Sequence, residues 1–135
     1  MHRFFSMKCI YGIKALICIK TETSYTLLQT ISVKENIPQP FLKTILTEME
    51  KHGIIVLKKG KSGGYRLAKP AEQITLHLIV STLDGSKISI PCINNLSHKC
   101  DDCPESDCTM RQVMIEVKTQ MDSLLKSINL KSIIK

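Results

Sequence analysis

The stretch ISVKENIPQPFLKTILTEMEKHGIIVLKKGKSGGYRL, Ile31–Leu67, decides the fold. Leu28 and Ile31 mark the apolar face of a short helix that runs into it. Asn36 suits a left-handed cap, because Asn tolerates positive φ better than most residues. Pro38 forbids a continuous helix through this point. Pro40 fits the first turn of a new helix, where its missing N–H costs nothing. From there Phe41, Leu42, Ile45, Leu46 and Met49 repeat at three-and-four spacing. Gly53 ends the second helix. The pattern is helix, tight turn, helix. The outward face of the second helix carries Gln39, Lys43, Thr44, Thr47, Glu48 and Lys51. Such side chains donate to phosphates and reach base edges in a major groove. A plain αα-hairpin with a solvated face gives the same pattern, so the motif alone is a weak signal.

The segment after Gly53 strengthens it. Ile54–Leu57 is a β-type run, a turn rich in Gly and Lys comes next, and a second strand begins at Tyr65. The hairpin, about 54–67, has a basic tip: Lys58, Lys59 and Lys61 with Ser62 on one side, Arg66 on the other. Gly60, Gly63 and Gly64 permit positive φ and close backbone approach. A hairpin directly after a helix-turn-helix is a wing, and its cations are placed for the sugar-phosphate backbone or a minor groove. The candidate DNA contacts are therefore Gln39, Lys43, Thr44, Thr47, Lys58, Lys59, Lys61, Ser62 and Arg66.

Before this unit, Ser6–Lys20 reads as a helix apolar almost all round, hence central to a core. It carries Cys9 and Cys18, expected as small buried hydrophobes. After the wing, Pro70 breaks the strand and Gln73–Leu83 is a short helix ended by Asp84-Gly85. Thr109–Ile128 is one long helix, with Met110, Val113, Met114, Val117, Met121, Leu124, Leu125 and Ile128 on a single stripe. That stripe is long for so small a domain and reads as a dimerisation helix, against the alternative of an ordinary core helix. The expected fold is mainly α with a small β-hairpin wing. The boundaries are 1–85 for a winged helix-turn-helix domain, 86–108 for a cysteine-rich loop, and 109–135 for a dimerisation helix and tail.

The chain has 135 residues and a formal charge of +7. Residues 1–75 hold twelve basic and five acidic side chains, whereas residues 76–135 hold seven of each. The whole surplus sits on the helix-turn-helix half. A one-sided basic field favours a polyanion such as nucleic acid; charge alone leaves a merely lysine-rich soluble face on an equal footing. Ile10–Ile19 is interrupted by Lys14, is too short to span a bilayer, and is succeeded by no cleavage site. The chain is thus expected in a reducing cytoplasm, without membrane contact. No Ser-His-Asp set, phosphate loop or converging acid pair is visible, and the four His are scattered, so an enzyme is not expected.

Four of six cysteines fall in CINNLSHKCDDCPESDC, residues 92–108, with spacing C-x7-C-x2-C-x4-C. In a reducing compartment such clusters are metal ligands or redox-active thiols more often than permanent disulfides. Four crowded thiolates repel unless a cation neutralises them, and Asp101, Asp102, Glu105 and Asp107 add to the anionic field. An iron–sulfur cluster and tetrahedral zinc both accept four Cys. Structural zinc favours two close pairs, and here only Cys100 and Cys103 form one, which mildly disfavours it. Free thiols or a reversible disulfide in an acidic, solvated loop are the remaining alternative.

Three stretches together resemble the Rrf-two superfamily of bacterial winged-helix regulators: SMKCIYGIKAL, ISVKENIPQPFLKTILTEMEKHGII and GKSGGYRLAKPAEQITL. CTMRQVMIEV resembles the start of that family's long helix. The likeness implies a homodimeric, cytoplasmic, DNA-binding transcriptional regulator on a roughly palindromic operator, in many members adjusted by an iron–sulfur cluster that senses redox state, nitric oxide or cluster supply. It implies Cys92 and Cys108 as the first and last ligands, with Cys100 or Cys103 in the middle slot. The chain departs from the pattern by lacking a His after Cys108, by having Ile10 where some members are acidic, and by Pro38 and Pro40 in the helix-turn-helix. The missing outside ligand and the extra cysteine point to Cys92, Cys100, Cys103 and Cys108 as a self-contained set. The alternatives are a cluster-free regulator of this fold, with structural zinc or a thiol switch, and one acting through a protein partner.

Overall fold

The computed structural model describes residues 4–85 and 109–134. Helix α1 spans Met7–Ile19. Its start is fixed by Ser6, whose hydroxyl accepts from the Cys9 N–H at 3.1 Å. Ser6 is in turn held by Asp84, through its own N–H at 3.1 Å and through its hydroxyl. Cys9, Ala15, Leu16 and Ile19 are buried, and Gly12 leaves the space that Leu83 fills. The helix packs on every neighbouring layer of the domain, as its nearly all-round apolar sequence requires.

Helix α2, Leu28–Glu35, ends at Asn36, which adopts φ 53 and ψ 51 as expected for a left-handed cap. Ser32 closes the turn: its hydroxyl donates to the Ile37 carbonyl at 2.6 Å, and its carbonyl accepts from the Ile37 N–H at 3.0 Å. Ile37 is thereby pinned in the core, and Pro38 starts the next helix. Helix α3, Gln39–Lys51, buries Leu42, Ile45, Leu46 and Met49. Phe41 departs from that stripe. It is 40% exposed and stands edge-on to Tyr11, with ring centroids 5.6 Å apart. It meets α1 at the margin of the apolar face, with one side left to solvent.

Strands β1 (Ile55–Lys58) and β2 (Gly64–Leu67) form the antiparallel wing, in register Ile55 with Leu67 through Lys58 with Gly64. Ile55, Tyr65 and Leu67 face the core, and burial, then the Glu50 charge, raises the Tyr65 hydroxyl above its ordinary pKa. Gly60 and Gly64 take φ 110 and 133. Gly63 instead meets the Lys58 backbone carbonyl, where a Cβ would not fit. Sequence periodicity missed one partner: Thr26 bonds Tyr65 in both directions at 2.8 Å, adding a third short edge to the hairpin.

The single helix expected over Gln73–Leu83 is divided. A 3-10 turn, Ala71–Gln73, precedes an extended Ile74, and α4 runs from Leu76 to Leu83 with Thr75 capping the Leu78 N–H at 3.1 Å. The cause is tertiary. The Ile74 carbonyl accepts from Leu130 at 2.7 Å, and the Leu76 N–H donates to Ile128 at 2.9 Å. Helix α5, Thr109–Ser127, and the short α6, Leu130–Ile133, are separated at Asn129, whose side chain accepts from the Ser132 N–H. Of the α5 stripe, Leu125 is buried against the domain, while Met110, Val113, Val117 and Leu124 are exposed. The stripe therefore exceeds what the chain's own core covers.

Candidate nucleic-acid interface

Helix α3 has two faces because its apolar residues recur every three to four positions. Opposite the buried Leu42, Ile45, Leu46 and Met49 stand Gln39, Lys43, Thr44, Thr47 and Lys51, all exposed. Thr44 and Thr47 donate their hydroxyls to the carbonyls of Pro40 and Lys43, at 3.1 and 2.7 Å. These bonds leave the hydroxyl oxygens able to accept. Glu48, on the flank of that face, is half-buried and ion-paired with Lys8 of α1. It ties α3 to the domain rather than projecting into solvent. His52 at the helix end bonds the Glu48 carbonyl through Nδ1 at 2.9 Å.

The wing tip carries Lys58, Lys59, Lys61 and Ser62, all exposed. Residues 55, 57, 65 and 67 point inward, so 56, 58 and 66 share the outer face. On it Arg66 is half-buried rather than free. Its Nε donates to the Tyr25 hydroxyl at 3.1 Å, and one Nη reaches the Leu67 carbonyl at 2.9 Å and the Glu22 carbonyl at 3.5 Å. The Lys58 ammonium and the Arg66 guanidinium lie 5.4 and 5.6 Å from the centre of the Tyr25 ring. No sequence pattern singles out Tyr25. Its pairing with the wing depends on Thr26 meeting Tyr65 across 39 positions of chain, which no local pattern carries.

Cys92, Cys100, Cys103 and Cys108 lie outside the described residues. Among the described residues no group of His, Cys, Asp and Glu could hold a metal ion. Cys9 and Cys18 are buried in the core, and burial raises the Cys18 thiol above its ordinary pKa against the lowering effect of Lys34. A thiol in that state is a packing group. His77 of α4 stands 3.6 Å from Asp122 of α5 and helps join the two helices. Among the described residues no helix is long and apolar enough to cross a membrane.

The chain is similar over nearly its whole length to proteins described as HTH-type transcriptional regulators. It is 29% identical over 136 residues to an rrf2-like HTH-type transcriptional regulator of Rhodobacter capsulatus, covering 96% of this chain and 91% of that one. It is 25% identical over 127 residues to the HTH-type transcriptional regulator NsrR of Oceanobacillus iheyensis, covering 93% and 85%. The structure of CymR, the global cysteine regulator of B. subtilis, superposes with a TM-score of 0.77 at 21% identity, over 98% and 96% of the chains, which shows the common winged-helix fold. The family described as iron-dependent transcriptional regulators, Rrf2, matches residues 5–135. With that match running from the first helix through the wing to the C-terminal residue, the chain belongs to the Rrf2 family of transcriptional regulators.

Proposed function

We propose that the chain is a homodimeric regulator that reads an operator with α3 and the wing, and whose affinity for DNA is set by an iron–sulfur centre on Cys92, Cys100, Cys103 and Cys108. The observation that carries the proposal is the uncovered polar face of α3, succeeded in the chain by a lysine-tipped hairpin. Gln39, Lys43, Thr44 and Thr47 present amide, ammonium and hydroxyl groups of the kind that pair with base edges. Lys58, Lys59 and Lys61 neutralise phosphates, and Ser62 and the Arg66 charge extend that surface. The exposed row Met110, Val113, Val117 and Leu124 favours a second copy of the chain across α5.

The donor set fits a soft metal. Four cysteines within seventeen residues, beside four carboxylates, would as thiolates form a strongly anionic site that a soft cation neutralises, and the two other cysteines are buried in the core. When bound, such a centre supplies redox and ligand-exchange chemistry that the protein side chains lack. The chain's own part is mechanical. Residue 86 comes directly after Asp84 and Gly85, and Asp84 is bonded to the N-cap of α1. Residue 108 precedes α5, whose far end is bonded to the strand-like segment before α4. A change between residues 86 and 108 thereby bears on α4 and α5 together. In a dimer joined by α5, it alters the spacing of the two α3 helices, which the operator fixes.

Anaerobic purification with subsequent iron, sulfide and zinc assay tests the metal, and gel-shift titration of metal-loaded and metal-free protein on the DNA upstream of its own gene tests the switch. Stoichiometric iron and sulfide with unequal affinities are expected. Zinc without iron assigns the site to a structural metal. Neither metal, or equal affinities, removes the sensing function and leaves the DNA reader.

A further inference from the structure

We propose that Tyr25 positions the wing for DNA: its ring and hydroxyl hold Lys58 and Arg66 as a fixed pair of cations on the outer face of the hairpin. The inference rests on the wing being a DNA contact. Thr26 pairs with Tyr65, so the chain before α2 runs beside β2 as a third edge. Side chains alternate across it. Thr26 and Tyr65 share the inner face, which places Tyr25 beside Arg66 on the outer one. Lys58 pairs with Gly64, and the absence of a side chain there lets its ammonium reach across to the same ring.

Each contact has a distinct role. The ring face attracts both cations, whose mutual repulsion would otherwise spread them. The Tyr25 hydroxyl takes Nε of Arg66, and the Leu67 and Glu22 carbonyls take one Nη. These bonds, among the described residues, orient the guanidinium fork so that the second Nη is the part a phosphate would meet. Lys and Arg ordinarily lose much side-chain freedom on binding. Here that freedom is already restricted in the free protein, and less remains to be lost on DNA. A tyrosine that touches no nucleic acid therefore governs how well two cations do.

The test uses the full chain and a labelled mixed-sequence DNA duplex, with anisotropy titrations across a range of salt. Tyr25→Leu is expected to weaken binding about fivefold to tenfold and to reduce the salt slope by roughly one, the loss of about one phosphate contact. Tyr25→Phe keeps the ring and loses only the hydroxyl, and should weaken binding about twofold to threefold. Because Tyr25 acts in part through Lys58, the double variant with Lys58→Gln should bind well above the affinity that multiplying the two single losses gives. A purely structural tyrosine would lower the melting temperature and leave affinity and slope of the folded protein unchanged. Wild-type binding by Tyr25→Leu, or multiplicative losses in the double variant, overturns the proposal. Should Tyr25→Leu be unfolded at the assay temperature, Tyr25→Phe decides, and wild-type binding by it overturns the proposal. Lys59→Gln with Lys61→Gln separates the two levels. If that pair leaves binding unchanged, the wing is not a DNA contact; if it weakens binding while the Tyr25 variants do not, only the role of Tyr25 fails.

Discussion

Replacing Gly64 by Ala probes the joint between wing and domain. Gly64 has φ 133, a region that side-chain-bearing residues rarely enter, and forcing Ala into it costs about 1–3 kcal/mol. Space is the second obstacle. A Cβ at Gly64 would stand 2.5 Å from the Thr26 carbonyl oxygen and 3.1 Å from the Leu27 nitrogen. Both are backbone atoms, and backbone cannot swing aside as a side chain does. Relief requires Thr26 to leave Tyr65, which breaks two hydrogen bonds of 2.8 Å, each contributing about 0.5–1.5 kcal/mol. Together these give about 2–6 kcal/mol, a large part of the 5–15 kcal/mol that typically holds a domain. At roughly 4 °C per kcal/mol for a chain of this size, the midpoint should fall by about 8–24 °C.

Gly60→Ala is the matched comparison. Gly60 has φ 110 but no atom within 4 Å of a built Cβ, so only the conformational cost applies. Its midpoint should fall by about 4–12 °C, less than for Gly64. Circular dichroism melts of the two variants and the wild type provide the measurement. A Gly64→Ala midpoint within about 2 °C of wild type refutes the reasoning. So does a Gly60→Ala protein that is the less stable of the two, because contact with the α1–α2 connection would then count for nothing.

The same structure sets three further outcomes. Cys9 and Cys18 should resist alkylation at neutral pH until denaturant is added, since both are buried and burial raises the Cys18 thiol; peptide mass spectrometry showing rapid native labelling would contradict this. Val113→Asp with Leu124→Asp should convert a dimer to a monomer in sedimentation equilibrium with little change in helix content, because both positions are exposed on the single chain, at 49% and 61%; an unchanged mass would remove α5 as the interface. The Lys131 hydrogen bond holds the Glu72 carboxyl below its usual range, and Glu72 holds Lys131 above its own. The pair contributes from above the ordinary carboxylate pKa to below the ordinary lysine pKa, and is lost as pH falls through the lowered Glu72 value or rises through the raised Lys131 value. Both side chains are exposed, so the melting difference between wild type and Glu72→Gln should be small at neutral pH and vanish in acid; a difference that grows in acid would be inconsistent.

The helix-turn-helix was legible because its signals are local. Pro38 and Pro40 restrict backbone geometry, Asn36 and Gly53 admit the positive φ that a helix end requires, and α2 and α3 begin and end accordingly. Ser6 likewise marks the start of α1. The failures share a physical character. Division of the expected 73–83 helix comes from bonds between Ile74 or Leu76 and residues near position 130, a pairing that no window of sequence contains. The contact of Arg66 with the Tyr25 hydroxyl, forty-one positions away, is equally out of reach of any local pattern. Phe41 fits an apolar period but sits where the neighbouring layer is Tyr11 and solvent. Periodicity states which face of an element is apolar, and only the assembled fold states how much of that face is covered.

That distinction sharpens the case for a dimer and for its control. Along α5 the chain's own domain buries Leu125 and covers Met114 and Met121 in part, while five large apolar side chains of the same helix, Met110, Val113, Ile115, Val117 and Leu124, remain exposed. A second helix packed there would remove that surface from solvent, at roughly 25 cal/mol for each Å². The same helix is bonded at its end to the segment before α4, and α4 packs on α1 and α3. Helix α1 receives Asp84 at its N-cap and sends Lys8 to Glu48 on α3. The route from the helix proposed to join two copies to the helix proposed to read DNA thus crosses packed helices and charge-assisted bonds, with no long flexible link among the described residues. Such a domain moves as a body. Under the proposed switch, affinity would change by reorienting whole domains rather than by unfolding the recognition helix, so hydrogen exchange within α3 should be equally slow in the metal-loaded and metal-free protein even where DNA affinity differs.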